Sequence, residues 1–238
     1  MTTTEIAPNS SKITDLTELL EVLDDFWNSV NSHRPIRLWY RGQVNSQWGL
    51  IPGVYRDSFK VTTESQRLEK EQQLNQDFKV HSASLLSGNP SDTELYFLQQ
   101  HYKMPTRLLD WSTSPLTAFY FAVSEEDHVD GSLFMMDAYQ LAISQGADKD
   151  IDNGFRGTPT SSLPLFRKAI ETFKHWKKAD TFPKYIIPIR PYYTDKKILL
   201  QKGCFTFHVP DQGELSERHN STLRKYIILV TWNPCRGH

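Results

Sequence analysis

Residues 98–123 read LQQHYKMPTRLLDWSTSPLTAFYFAV, and this stretch sets the expected fold of the region around it. A residue that precedes proline is pushed out of the helical region of backbone space. Because Pro105 follows Met104, Met104 is predicted to end the helix that carries His101. The short apolar segment that follows, Thr106 to Trp111, is predicted to be a buried strand.

A second helix is predicted to begin at Pro115, near the far end of the same stretch. Serine is favoured just before a helix and proline at its first position, and Ser114-Pro115 has this order. Four apolar residues then recur at helical spacing and predict one buried stripe: Leu116, Phe119, Tyr120 and Val123. The stretch therefore predicts helix, turn, strand, serine-rich cap and helix.

The same stretch places polar side chains next to an apolar core, namely His101, Arg107, Asp110, Ser112, Thr113 and Ser114. A cation together with hydroxyls at a helix N-terminus is suited to binding an anion or another polar ligand. Alternatively, Arg107 and Asp110 only pair with each other, and the hydroxyls only cap the helix. On these residues alone the two interpretations are equally good.

Length and composition indicate a globular protein of one large domain or two small ones. The chain has 238 residues, 38% of them hydrophobic, which is enough for a sizeable core. Its 27 basic and 28 acidic residues give a net charge of −1, which argues against a general nucleic-acid or membrane-surface binder. Two cysteines, Cys204 and Cys235, are too few for a disulfide framework or a zinc site. With no apolar segment long enough to span a membrane, we expect a cytoplasmic protein with a disordered lead-in over residues 1–13.

A second candidate motif lies upstream. A helix is predicted from Thr14 or Asp15 to about Val30, and the strand Ile36–Tyr40 follows it. This strand leads directly into Arg41-Gly42-Gln43. An arginine at a strand end, followed by glycine, presents a fixed guanidinium beside a backbone that a ligand can approach closely. The alternative is an ordinary turn whose arginine forms a salt bridge.

The remaining chain predicts an α+β fold with a mixed or antiparallel β core flanked by helices. A long polar helix from Thr63 to Leu86 is expected to be solvated and to carry no site residues, and residues 144–162 are expected to form a flexible insertion. A basic helix is predicted over Leu163–Lys178. Further strands are predicted over residues 131–137, 185–189, 198–200, 204–209 and 225–232, and Gly203 marks a bend before the fourth of them. We find no internal repeat, so residues 14–238 are interpreted as one domain.

Three segments resemble the FRG family, which is named for a Phe/Tyr-Arg-Gly motif. They are Tyr40-Arg41-Gly42-Gln43, the block HYKMPTRLLDWSTSPLTAFYFA, and Gln201-Lys202-Gly203-Cys204-Phe205-Thr206. The central block is long enough to be specific, although Lys103 stands where the family usually has glycine. The family is named by its motif, so the resemblance on its own implies little about activity.

The order of motifs also resembles, more remotely, the ADP-ribosyltransferases of the arginine-serine-glutamate type. This resemblance implies an ADP-ribosyltransferase-like fold and NAD as a substrate. Arg41 would grip the phosphate or ribose of NAD, with Gly42, Gln43, Arg107 and Gln201 nearby, and Ser112, Thr113 and Ser114 would hold the nicotinamide-ribose end. A forked guanidinium suits a diphosphate, and a carboxylate can stabilise the positive charge that builds on the ribose during bond cleavage.

The third motif departs from that pattern. The transferases have a glutamate where this chain has Gly203. The carboxylate would then come from Asp110, Glu214 or Glu217, and Asp110 is the first choice because it adjoins the serines. His101 is a candidate base or substrate-orienting residue.

Three functions follow as hypotheses. The first is an NAD-dependent transferase that modifies a macromolecule, protein or nucleic acid, in the manner of a toxin or phage-defence effector with an antitoxin or other regulatory partner. The second is a module that binds a nucleotide or a protein without catalysis, which the missing glutamate favours. The third is a nuclease or other hydrolase using Asp110, Asp137 and His101, and it lacks any metal-ligand spacing.

Overall fold

The computed structural model describes residues 12–30, 38–83, 90–124, 128–144, 170, 186–190, 202–208, 215 and 222–232. The strands are β1 (Lys12–Ile13), β2 (Leu38–Gln43), β3 (Leu108–Ser112), β4 (Gly131–Asp137), β5 (Ile186–Ile189), β6 (Gly203–His208) and β7 (Leu223–Ile228). The helices are α1 (Leu16–Ser29), α2 (Glu64–Ser82), α3 (Asp92–His101), α4 (Pro115–Val123) and α5 (Ala138–Ser144). Two short 3₁₀ turns, Gly53–Tyr55 and Asp57–Phe59, lie between β2 and α2.

The strands form one seven-stranded sheet in the order β1-β7-β4-β2-β3-β6-β5. Only the β1–β7 pair is parallel among the described strands, and the other neighbours are antiparallel. The prediction of an α+β fold with a mixed or antiparallel β core is therefore confirmed. The described part of the chain has no helix long and apolar enough to cross a membrane.

Both faces of the sheet are covered, and successive residues of β2 contribute to opposite faces. On one face, Leu38 and Tyr40 of β2 pack with residues of α1 and α4. On the other face, Trp39 of β2 packs with Trp111 of β3 and with residues of α5. Helices α2 and α3 cover the β3-β6-β5 side, where they bury a cluster consisting of Leu68, Tyr96, Phe97, Leu108, Ile170, Ile187, Ile189, Phe205 and Phe207.

Helix α4 packs unusually close to the sheet because two strand positions have no side chain. A Cβ added to Gly42 of β2 would lie 1.8 Å from the carbonyl oxygen of Ala118, and one added to Gly131 of β4 would lie 2.3 Å from that of Ala122. Real Cβ contacts are almost never shorter than 3.0 Å. The glycine after Arg41 therefore makes room for a helix, which is a different role from the ligand approach expected from sequence.

The close approach explains why the predicted stripe on α4 is wrong. The helix does begin at Pro115, and the Ser114 hydroxyl accepts the N–H of Thr117 at 3.3 Å. However, Leu116 and Tyr120 are 62% and 55% exposed. The buried face consists of Ala118, Phe119, Ala122 and Val123, because the two alanines allow the helix to contact the glycine positions.

Several element boundaries also differ from the predictions. Strand β2 continues through Gln43, so Arg41 lies inside the strand and not at its end. Lys12 and Ile13, which were assigned to the disordered lead-in, pair with β7 as β1. Helix α3 ends at His101 and not at Met104, because Lys103 adopts a left-handed conformation with φ 61°. Its N–H bonds the carbonyl of Gln100 at 3.0 Å, which closes the helix end.

The solvated face predicted for α2 is wrong at two positions. The helix begins after Thr63, whose hydroxyl accepts the N–H of Gln66 in a reciprocal capping box. Arg67 and Glu71, one turn apart on this helix, are each only 5% exposed.

Residues 145–162 and most of the predicted helix over 163–178 lie outside the described residues, as do residues 198–200.

Candidate functional site

The central strands β2 and β3 separate from each other soon after they meet. They share the single residue pair Tyr40–Ser112, whereas β2 follows β4 along its whole length from Leu38 to Gln43. A cavity of about 510 Å³ lies where β2 and β3 diverge, within the usual range of small-molecule sites. Its lining comes from both strands and from the elements around them: Tyr40, Arg41, Gly42, Gln43, Val44, Trp48, Arg56, Gln100, His101, Lys103, Asp110, Trp111, Ser112, Ala118, Phe121, Ser124, Gly203 and Phe205.

The register of the sheet explains how three distant motifs reach this cavity. Tyr40 pairs with Ser112, and Ser112 pairs with Gly203, so the three residues form one row across β2, β3 and β6. Arg41 follows the first of them directly in sequence. The segments that carry the family resemblance therefore meet at one place in the fold.

Arg41 lies between the two diverging strands. Its Nη1 donates to the backbone carbonyl oxygen of Asp110 at 2.7 Å. Its Nε is buried and has no hydrogen-bond partner. Burial holds the pKa of Arg41 below its ordinary value; nearby Asp110 opposes this shift, and Arg56 adds to it. The guanidinium is thus only partly hydrogen-bonded and faces a cavity, an arrangement suited to an anionic ligand.

The carboxylate of Asp110 is exposed at the cavity and held by one neighbour. Its Oδ2 accepts a hydrogen bond from Nε2 of Gln100 at 2.8 Å. Although both side chains line the cavity, Arg41 and Asp110 form no ion pair within 4.0 Å. The cavity therefore contains a cation and an anion that influence each other electrostatically without forming a direct ion pair.

The three predicted hydroxyls have different places. Ser112 lines the cavity, and its Oγ accepts the N–H of Ser114 at 3.0 Å. Ser114 caps α4, and neither it nor Thr113 is among the cavity-lining residues. Thr113 donates its backbone N–H to the carbonyl of Lys202 at 3.1 Å, which ties the end of β3 to the turn before β6. Of these three residues, Ser112 is thus the one that lines the cavity.

Arg107 lies away from the cavity and forms a buried ion network instead. Its guanidinium bonds both carboxylate oxygens of Glu71 at 2.6–3.1 Å and Glu64 at 2.7 Å, and it also contacts the hydroxyl of Tyr55. Its backbone N–H donates to the hydroxyl of Tyr96 at 2.8 Å. Arg107 therefore neither lines the cavity nor pairs with Asp110, the two roles expected from sequence. It joins α2, α3 and the 3₁₀ turn beneath β3.

The charges in this network influence each other strongly. Burial opposes the charge of Arg107, but Glu71, Tyr55 and Glu64 outweigh burial and raise its pKa above the ordinary value. Burial also raises the pKa of Glu71 to about 7, against the attraction of Arg107. Sequence reasoning missed Glu71 because it stands in a run of charged residues that lacks an apolar stripe.

Two further cations and several aromatic residues complete the cavity. Arg56 and Lys103 add to its positive charge, and Trp48, Trp111, Phe121 and Phe205 contribute apolar surface. From sequence, none of these six residues is named as a catalytic or binding residue, but Trp48 belongs to an apolar loop, with Gly49 and Gly53, that is expected to form one wall of a pocket. The irregular apolar loop around Gly49 gave a signal for Trp48, because it follows the arginine motif directly. Gln43 also lines the cavity, and its amide donates to the carbonyl of Trp48 at 3.3 Å.

The other predicted site residues are placed as follows. His101 lines the cavity. Glu214, Glu217 and Gln201 lie outside the described residues. The carboxylate of Asp137 accepts the N–H groups of Tyr139 and Gln140 at 3.0 Å and so caps α5, away from the cavity. Within the described ranges no group of three or more His, Cys, Asp or Glu side chains could hold a metal ion.

Comparison with known proteins agrees with the motif resemblance. Residues 36–131 match the model of the FRG domain. The match covers the arginine motif of β2, helices α2, α3 and α4, and strand β3. Searches of curated proteins and of solved structures gave no match.

Proposed function

We propose, from the FRG domain match and the cavity beside it, that this protein is an NAD-dependent ADP-ribosyltransferase that modifies a macromolecule. The observation that carries the proposal is Arg41, whose guanidinium has a buried Nε without a partner and faces the same cavity as the Asp110 carboxylate. NAD presents both features that such a cavity suits: an anionic diphosphate and a ribose that becomes positive during reaction.

In the binding step, the basic residues of the cavity hold the diphosphate. Arg41, Arg56 and Lys103 line it against the one carboxylate of Asp110, so the described lining carries an excess of positive charge. Aromatic surfaces such as Trp48 and Phe205 suit a nucleobase or the nicotinamide ring. The volume of about 510 Å³ is in the range of sites that enclose most of a ligand of this kind.

The chemical step follows from the charge that develops. When the bond between nicotinamide and ribose breaks, the electron pair leaves with nicotinamide, and the ribose becomes an oxocarbenium ion. The Asp110 carboxylate stabilises this positive charge, and Ser112 hydrogen-bonds the ribose. A nucleophilic group of the acceptor then bonds to the anomeric carbon and releases a proton, for which His101 is the nearby base.

The first experiment compares wild-type protein with Arg41→Ala. We expect the substitution to abolish NAD consumption and to leave the melting temperature nearly unchanged, since a partly buried charge is removed together with its one hydrogen bond. Arg224→Ala is the matched control, because this arginine lies on β7 over the ring of Phe26. Wild-type protein that neither binds nor cleaves NAD at millimolar concentrations would rule the proposal out.

The acceptor is identified by incubation of the protein with labelled NAD and a cell lysate, followed by analysis of which macromolecule carries the label. The family resemblance extends the proposal to a cytoplasmic toxin or phage-defence effector, held inactive by an antitoxin or another regulatory partner. Label that appears only as free ADP-ribose would indicate hydrolysis of NAD in place of transfer.

A second candidate function is a module that binds a nucleotide without catalysis. Gly203 favours it, because this residue lines the cavity at the position where the transferases have a glutamate. Calorimetry with NAD, together with an assay for free nicotinamide, separates the two: a module binds NAD and releases no nicotinamide.

A further inference from the structure

A chain of hydrogen bonds connects the Asp110 carboxylate to the backbone of its own strand. Nε2 of Gln100 donates to Oδ2 of Asp110 at 2.8 Å, and the hydroxyl of Thr106 donates to Oε1 of the same glutamine. The Thr106 oxygen in turn accepts the backbone N–H of Leu108 at 3.0 Å. We refer to Leu108 N–H, Thr106, Gln100 and Asp110 as the Asp110 relay.

The direction of each bond in the Asp110 relay is fixed by chemistry. A backbone N–H can only donate, so the Thr106 oxygen accepts from Leu108 and its own hydrogen is free to donate. The amide oxygen of Gln100 receives that hydrogen, and its NH₂ group is therefore turned towards Asp110. The opposite amide orientation would place an oxygen against the carboxylate and leave the Thr106 hydrogen without an acceptor.

The relay also has a rigid base. Thr106 is only 2% exposed, whereas Gln100 lines the cavity at the end of α3. The main chain of Asp110 is held separately, because its carbonyl accepts a hydrogen bond from Arg41 at 2.7 Å. The backbone and the side chain of Asp110 thus have independent anchors, one on β2 and the other on α3.

We propose that Gln100 is a positioning residue that, with Thr106, holds the Asp110 carboxylate at one orientation in the cavity. This inference rests on the proposed function for its catalytic consequence. A carboxylate that stabilises a transient positive charge must already point at the place where the charge develops, because reorientation during the reaction lowers the rate. Gln100 has no other assigned role, and it does not need to touch the substrate.

The first test measures kinetics of NAD consumption by Gln100→Met and Thr106→Val, which keep the side-chain size and remove the hydrogen bonds. We expect Gln100→Met to lower kcat about 10- to 100-fold with KM for NAD changed less than about two-fold. Thr106→Val is expected to have a smaller effect in the same direction. When Asp110→Asn is already present, adding Gln100→Met should not lower kcat any further. A further decrease of kcat in the double variant would overturn the proposal.

The second test does not depend on activity. In nuclear magnetic resonance spectra, the side-chain NH₂ protons of Gln100 should exchange with water more slowly than those of Gln47, an exposed residue on a loop. Thr106→Val and Asp110→Ala should each remove this protection. If wild-type Gln100 exchanges as fast as Gln47, the Asp110 relay does not exist, whatever the protein does with NAD. Slow exchange in a protein without NAD turnover would reject the proposed function and retain the positioning of Asp110.

Discussion

Gly42→Ala tests the role of the glycine in the arginine motif. From sequence, this glycine was expected to let a ligand approach the backbone, whereas the structure shows α4 packed against it. The two roles lead to different outcomes for a single added methyl group. The packing role predicts an unstable protein, and the ligand role predicts a stable protein that binds NAD poorly.

The size of the effect follows from three distances. The new Cβ would lie 1.8 Å from Ala118 O, 2.6 Å from Ala122 N and 2.9 Å from Ala118 C. All three neighbours are backbone atoms of α4, so no side-chain rotation relieves the contact, and the helix must move by more than about 1 Å. Overpacking of this kind costs about 1–3 kcal/mol and occasionally more, and we expect at least about 3 kcal/mol because backbone must shift.

The assay is chemical unfolding followed by fluorescence. Gly53→Ala is the matched control, because its Cβ would meet its nearest neighbour, the Cα of Pro105, at 3.1 Å. In Gly131→Ala the new Cβ would lie 2.3 Å from Ala122 O, so its loss of stability should lie between those of Gly42→Ala and Gly53→Ala. A Gly42→Ala protein that is as stable as wild type would refute the packing argument, and a specific loss of NAD binding in it would restore the ligand role.

Three further predictions follow from local geometry. Lys103→Gly should raise the free energy of unfolding, measured by denaturant titration, by about 1 kcal/mol, because the left-handed conformation at φ 61° strains any residue with a side chain. The same substitution should weaken NAD binding, measured by calorimetry, because it removes a charge from the cavity. Unchanged stability would contradict the first expectation. Ser114→Ala should lower the free energy of unfolding by about 1 kcal/mol through loss of the α4 cap and leave the kinetics of NAD turnover unchanged. Ser112→Ala should slow NAD turnover, because Ser112 lines the cavity. Equal turnover in the two variants would place Ser112 outside the site. Glu71 should make the free energy of unfolding fall with rising pH, because its pKa is raised from 4.5 to about 7 in the folded protein. Its stabilising contribution is complete below pH 4.5 and is lost as the pH rises through 7. The total loss in the free energy of unfolding is about 3 kcal/mol at most. The difference in unfolding free energy between wild type and Glu71→Gln should follow this course between pH 5 and 8, and a difference that grows with pH would show that Arg107 outweighs burial.

Local signals in the sequence predicted the starts of two helices well, whereas Pro105 placed the end of α3 at Met104, three residues beyond its observed end at His101. Ser114 before Pro115 located the start of α4, and one of the two predicted caps of α1, Asp15 rather than Thr14, is the observed one, because capping depends on a few neighbouring residues. The helical spacing of apolar residues was less reliable. Leu116 and Tyr120 fitted a stripe but lie on the outer side of α4, since the contact with Gly42 required small residues on the inner side.

The candidate site was predicted only in part, and the misses share a physical cause. Arg41, Asp110, Ser112 and His101 line one cavity, and short motifs carry all four. Arg107 stands in the same motif but bonds Glu71, which is 36 residues away in sequence. No local pattern reveals such a partner. Arg56 and Lys103 were missed for the same reason, because they join the cavity only through the turn before α2 and the end of α3.

The strand order has a consequence for the boundaries of the folding unit. The family match stops at residue 131, where β4 begins, yet β4 is the strand that pairs with β2 along its full length. A chain truncated there would retain β2 and β3 joined by one residue pair, and each would present bare backbone N–H and C=O groups to water and to other chains. The segment that the family model matches is therefore smaller than the sheet, because the neighbours of β2 and β3, strands β4 and β6, come from the C-terminal part of the chain.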